Sequence, residues 1–117
     1  MKVLLVDDER KFVSTLAERL RIRGIDADWV TNGAEACSKV KEKKYDVAVL
    51  DVKMPNLSGI ELKKTLEKID PHMKYILVTG HGSDEDFAVG SAEAAFYIIK
   101  PFQIDFLIES LRQSLKA

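Results

Sequence analysis

The sequence predicts an α/β fold: one domain over residues 1–117, built as a doubly wound, five-stranded parallel sheet. Short β-rich runs at 2–6, 27–30, 47–50, 75–79 and 96–99 alternate with segments of helical spacing. No repeat, linker or low-complexity stretch interrupts that alternation, which is the signature of strands and helices packed in layers. A chain of 117 residues suffices for one proper core and not for two. Right-handed crossovers then place helices on both faces of the sheet. Ligands in such sheets bind beyond the carboxyl ends of the strands, near the point where strand order reverses.

The first helical segment, "ERKFVSTLAERLRIRG", carries Phe12, Leu16 and Leu20 as an apolar stripe, with Val13 and Ala17 beside it and Gly24 as its stop. The second starts at a cap, Asn32 or Thr31, and turns Ala36, Cys37 and Val40 inward. The third carries Ile60, Leu62 and Leu66 and ends before Asp70-Pro71. The last carries Leu107, Leu111 and Leu115. Between the last two strands, "SDEDFAVGSAEAAF" has a thin apolar stripe, and Gly90 alone costs about 1 kcal/mol of helix stability relative to alanine. It is expected to be the most loosely held segment.

Composition excludes several classes. The chain is 46% hydrophobic and 32% charged with a formal net charge of -1, so no global charge draws it to nucleic acid or an anionic membrane. One cysteine, Cys37, permits no internal disulfide and no multi-cysteine metal site. The opening "MKVLLVDDE" is too short for a signal-peptide core, and no stretch approaches membrane-spanning length, which makes a cytoplasmic protein the expectation. His72 and His81 sit in no spaced metal cluster, and "KVKEKKYD" reads as a solvated helix end. Trp29, near the end of an edge strand, is expected to pack on the first helix.

Chemistry gathers where the strands end. Asp7 and Asp8 follow the first run, Asp51 ends the third, Thr79 the fourth, and Lys100 follows the fifth. Each has a plain structural reading: Asp8 as a helix cap, Thr79 satisfying a local donor, Lys100 as surface charge. Together they say more. Carboxylates at one mouth repel by about 3 kcal/mol per pair at ~5 Å and an effective dielectric near 20. Protons, a lysine or a metal ion must offset that. All-oxygen ligands select a hard cation, Mg²⁺ before Zn²⁺. A carboxylate nucleophile, a divalent cation, a lysine and a hydroxyl make a phosphoryl-transfer site, with Asp51 as the group to be phosphorylated.

The stretches "LLVDDE", "VAVLDVKMPNLSG", "ILVTGHG" and "YIIKPF" resemble, in order and spacing, the receiver domain of two-component response regulators. The resemblance implies a flavodoxin-like (βα)5 fold with strand order 2-1-3-4-5. It implies Asp51 as phosphoacceptor, Asp8 and Asp51 as direct Mg²⁺ (or Mn²⁺) ligands, Asp7 acting largely through water, and the Lys53 backbone carbonyl as a further ligand. It implies Thr79 as the switch hydroxyl, Lys100 as partner of the acidic site and phosphoryl group, and Tyr97 as the aromatic that reorients. Lys53 and His81, each two residues beyond a key position, would set phosphoryl lifetime. The Lys100-Pro101 bond is expected to be cis. The implied partner is a sensor histidine kinase or phosphotransfer protein, with a second copy of the chain as a further one; this domain itself contacts neither nucleic acid nor membrane. The implied activity is self-phosphorylation and slow self-dephosphorylation, not turnover of a substrate. The signalling face would comprise 84–95, the fifth strand and the last helix.

Gly80-His81 replaces the family's commoner alanine after the switch threonine, and its usual Gly-Ala pair falls on Glu93-Ala94. Three rival readings remain: an aspartyl-phosphate phosphohydrolase, a flavin module and a degenerate receiver that only docks. The first needs an acid/base two residues after Asp51, where Lys53 stands. The second needs an uncharged phosphate loop where "DDERK" stands. The third is at odds with the complete acidic and lysine set. With no output domain after the last helix, the chain is expected to be a single-domain regulator or a receiver excised from a longer one.

Overall fold

Strand runs that are apolar up to their last residue, such as Val47–Asp51 and Lys74–Thr79 beyond its first residue, need cover on both faces. The computed structural model provides it; residues 1–55, 57–80 and 96–116 are described. In chain order they form β1 (Lys2–Val6), α1 (Arg10–Ile22), β2 (Asp26–Val30), α2 (Gly33–Glu42), β3 (Val47–Asp51), α3 (Gly59–Ile69), β4 (Lys74–Thr79), β5 (Phe96–Ile99) and α4 (Ile104–Lys116). The sheet is wholly parallel in the order β2-β1-β3-β4-β5. Alternate strand residues serve opposite layers. Val3, Leu5, Val49 and Val78 pack with Leu16, Leu20, Leu107 and Leu111 of α1 and α4. Leu4, Val6, Leu50 and Leu77 pack with Ala36, Val40, Leu62 and Leu66 of α2 and α3. The expected fold and strand order are therefore observed.

Local chemistry explains the helix ends. Asn32 Oδ1 accepts from the Glu35 N–H at 2.8 Å while its Nδ2 donates to Glu35 Oε1 at 2.6 Å, a reciprocal cap on α2. Ser58 Oγ accepts from the Glu61 N–H at the start of α3. Gly24 takes φ +82°, and the N–H groups of Ile25 and Gly24 return to the carbonyls of Leu20 and Arg21, closing α1 with a left-handed glycine turn.

Several expectations are corrected. The plain structural reading of Asp8 as a helix cap, set against its place in the site, does not apply: Glu9 stands at the cap position of α1 without a side-chain bond, and the Glu9 N–H donates to Asp7 Oδ1 at 2.9 Å. Leu115 is 41% exposed rather than inward. Seven residues are nearly two turns, so Ser114 lies roughly 20° from Leu107 around the helix while Leu115 lies roughly 80° away. Ser114 is accordingly fully buried, its hydroxyl donating to the Leu111 carbonyl. Cys37 and Ile60 are only partly buried against the second layer. His81, the segment 84–95 and the Glu93-Ala94 pair lie outside the described residues. Trp29 packs as expected on the α1 layer, with the Arg10 guanidinium 5.2 Å from its ring centroid.

The β2 edge of the sheet is also dressed. Asp26 donates to the Met1 carbonyl and Val30 accepts from the Asp7 N–H, so these residues face β1 and Ala27 faces outward. Arg21 Nε of α1 donates to that Ala27 carbonyl at 2.7 Å. On the other face, Asp28 accepts from Tyr45 Oη at 2.6 Å and Lys43 Nζ at 3.2 Å.

Candidate functional site

Chain order reverses direction between β1 and its neighbours β2 and β3, and the crevice opens there. Register then decides which side chains meet. Val6 is level with Leu50, so Asp7 emerges beside Asp51, and Asp51 is level with Val78. Thr79 is level with Ile99, so Lys100 emerges one step on, its N–H donating to the Thr79 carbonyl at 2.7 Å. Four elements distant in sequence thus deliver their terminal residues to one mouth.

One carboxylate oxygen from each of Asp7, Asp8 and Asp51 lies within 4.8 Å of the others. That is close to the ~4 Å that separates opposite oxygen ligands of a single Mg²⁺. The donor set is all carboxylate, so the residues fit a hard cation. Asp8 is exposed, whereas Asp7 and Asp51 are each only 5% exposed. Asp51 is therefore nearly as buried as the strand it ends. An open cleft of about 220 Å³ leads to it, lined by Asp8, Glu9, Asp51, Lys53, Gly80 and Lys100.

Lys100 supplies the resident positive charge. Its Nζ lies 2.6 Å from Asp7 Oδ2, 3.7 Å from Glu9 Oε1 and 4.0 Å from Asp51 Oδ2. Burial disfavours its charge, but the hydrogen bond and charge of Asp7, with Asp51 and Glu9, outweigh that and push its pKa up. Asp51 is pushed up to about 6, by burial first and the Asp7 charge second, against the opposing pull of Lys100 and the Lys53 N–H. That N–H donates to Asp51 Oδ1 at 3.3 Å.

Thr79 ends β4 as expected but is wholly buried, leaving Gly80 to line the cleft. Tyr97 is partly buried in β5 and packs on the second layer. The Lys100-Pro101 peptide bond is cis, as expected. Glu9, 3.7 Å from Lys100, and Gly59 join the site without having stood out in the sequence. A side chain on Gly59 would overlap the Asp51 carbonyl oxygen and lie 2.9 Å from its carbonyl carbon and 3.1 Å from Val52 Cα. Glycine alone lets the start of α3 press on the backbone of Asp51, where the Gly59 N–H donates to the Val52 carbonyl at 3.0 Å. A glycine next to a helix cap and eight residues after a strand-end carboxylate was the available signal, but spacing does not show a backbone contact.

Comparison with known proteins places the chain in a family. Residues 3–112 match the response regulator receiver domain model. The chain is 35% identical to the chemotaxis protein CheY of Thermotoga maritima, over 98% of this chain and 98% of CheY. It is 34% identical to the transcriptional regulatory protein YkoG of Bacillus subtilis, over 97% of this chain but only 50% of YkoG. The response regulator TrrA of Thermotoga maritima, solved in complex with Mg²⁺-BeF, superposes with a TM-score of 0.84 at 34% identity, covering 97% of this chain and 98% of TrrA. The chain belongs to the receiver domains of two-component response regulators. It spans nearly all of CheY and between a quarter and a half of the transcriptional regulators it resembles. Among the described residues, no helix is long and apolar enough to cross a membrane.

The raised Asp51 pKa has a measurable consequence without metal. The folded value, about 6, lies above the ordinary 3.8, so the folded state holds the extra proton between those values and loses stability as pH rises through that window. Asp51→Asn removes the penalty. In EDTA, the variant's advantage in urea unfolding should grow by about 1–2 kcal/mol between pH 4 and pH 7.5, allowing for solvent screening. A constant difference across that range contradicts the burial-driven shift.

Proposed function

We propose that the chain is a phosphorylation-dependent switch that accepts a phosphoryl group on Asp51. The gathering of Asp7, Asp8 and Asp51 within 4.8 Å, with Lys100 at their side, carries this reading. The donor is a phosphohistidine of a sensor kinase or phosphotransfer protein, or a small acyl phosphate. An Asp51 carboxylate oxygen forms the new P–O bond while the bond from phosphorus to the donor's nitrogen or oxygen breaks, the donor atom keeping the electron pair. Asp8, Asp51 and the Lys53 carbonyl would hold Mg²⁺, or Mn²⁺ in its place, with Asp7 acting through water. When bound, the cation neutralises charge on the phosphoryl oxygens. Lys100 offers its ammonium to the same oxygens, and its contact with Asp7 keeps it within reach of Asp51 beforehand.

Incubated with Mg²⁺ and acetyl phosphate, the protein should gain one phosphoryl group by mass spectrometry. Asp51→Asn and EDTA should each abolish the gain; an equally fast reaction in either rules out the assignment. Lys53 lines the cleft, and a side chain there blocks or orders the water that must align with phosphorus. Lys53→Ala should shift the dephosphorylation rate several-fold, and His81→Ala likewise; unchanged decay in both removes them from that role.

The added charge on Asp51 would draw the Thr79 hydroxyl inward and let Tyr97 follow, changing the surface around β5 and α4. Support comes from Ile99 and Phe106, 50% and 56% exposed on those elements. A second copy of the chain is one reader of such a face; neither nucleic acid nor membrane is. The segment 84–95 joins this face on sequence grounds alone. With beryllofluoride and Mg²⁺, amide exchange should change most in β5 and the first turns of α4. The largest change falling in α1 or α2 would place the switch on another face.

A further inference from the structure

We propose that Phe12 is a positioning residue for Lys100, holding the ammonium over its ring so that it stays aimed at the acidic site. Lys100 Nζ lies 4.4 Å from the Phe12 ring centroid, well inside the range of a cation–ring attraction. The lysine side chain is only 14% exposed, so solvent does little to weaken that attraction. The ring is itself fixed. Phe102, two residues beyond Lys100, meets it edge-on with centroids 6.1 Å apart and planes at 85°. Phe12 belongs to α1 and Phe102 to the connection after β5, so the aromatic pair ties together the two elements that carry the lysine and its holder.

The need for such a device follows from the lysine's chemistry. Its ammonium is a point charge on a flexible four-carbon stem, and Asp7 alone anchors only one of its three donors. Asp7 at 2.6 Å and Asp51 at 4.0 Å draw the ammonium toward the acidic site, while Glu9 lies at 3.7 Å. The exposed Glu9, its side chain 68% accessible, offers an outward alternative that would draw the ammonium away from Asp51. The ring face opposes that drift without adding a charge or a competing hydrogen bond. Phe12 touches no reacting atom; it acts through Lys100.

This inference rests on the reading that Lys100 serves a phosphoryl site on Asp51, and its test separates the two. Phe12→Leu keeps apolar bulk and removes the ring face, while Phe12→Tyr keeps the face. In saturating Mg²⁺ and acetyl phosphate, Phe12→Leu should lower the phosphorylation rate by about 5- to 10-fold, the weight of one partly desolvated cation–ring contact, and Phe12→Tyr should restore most of it. In a Lys100→Ala background, Phe12→Leu should have no further effect, because the lysine through which it acts is gone. A merely structural role would slow both backgrounds equally, and that result overturns the proposal. So does a Phe12→Leu rate equal to the parent's. Independently of any donor, the Lys100 Cε protons should show an upfield ring-current shift in the parent NMR spectrum. Shifts there at ordinary lysine values also overturn it, whether or not the leucine variant folds. If the parent takes up no phosphoryl group, the function proposed for Asp51 fails while the NMR result still decides the Phe12–Lys100 contact.

Discussion

Negative charge concentrated at the carboxyl end of the sheet is the constraint on which the rest of this structure depends. Asp7 and Asp51 are almost wholly buried, and Asp8 stands beside them. Such a group folds only if opposite charge is built in or taken up. The built-in charge is Lys100, brought from the far end of the chain by the parallel register of β4 and β5. The pairing is uneven: Lys100 is in direct contact with Asp7 at 2.6 Å and stands 4.0 Å from Asp51. That residual negative charge suits a divalent cation, whose own charge would in turn let an anionic phosphoryl group approach.

The same constraint explains why so much rigid structure surrounds a small cleft. Asp51 is held from the front by the Lys53 N–H and from behind by α3, which rests on its backbone through Gly59. Both core layers contribute. Val49 and Val78 on one side and Leu50 and Leu77 on the other fix the strands that end at the site. A carboxylate carried on a buried central strand keeps its place better than one on a surface loop, and positional precision is what an in-line displacement requires.

Which parts were legible in the sequence follows from what periodicity and punctuation encode. Asp7, Asp8, Asp51, Thr79 and Lys100 could be read because each interrupts an apolar run at its end, and the parallel fold gathers such ends. Phe12 looked like an ordinary member of the α1 stripe. Helical spacing gives the face a residue occupies, and not that a lysine from another strand lies over its ring. Gly59 escaped for the same reason: its neighbour is a backbone carbonyl eight residues earlier. Leu115 was misjudged because counting in fours drifts off the true repeat of 3.6, and Ser114, with its hydroxyl turned to the helix backbone, fills the buried place. Asp7 serves both the site and the helix start, accepting from the Glu9 N–H and from Lys100.

The Arg21 bond to Ala27 bears on how copies of this chain can meet. An outer strand with unclaimed carbonyls is a template on which another chain's strand can add, the first step toward open-ended aggregates. Here a guanidinium occupies the outward carbonyl, and the Asp28 cluster with Lys43 and Tyr45 places bulk and charge alongside it. Strand-by-strand growth of the sheet past β2 would have to break those bonds and strand charged groups between backbones. The sheet is thus guarded on that side against propagating into a fibril.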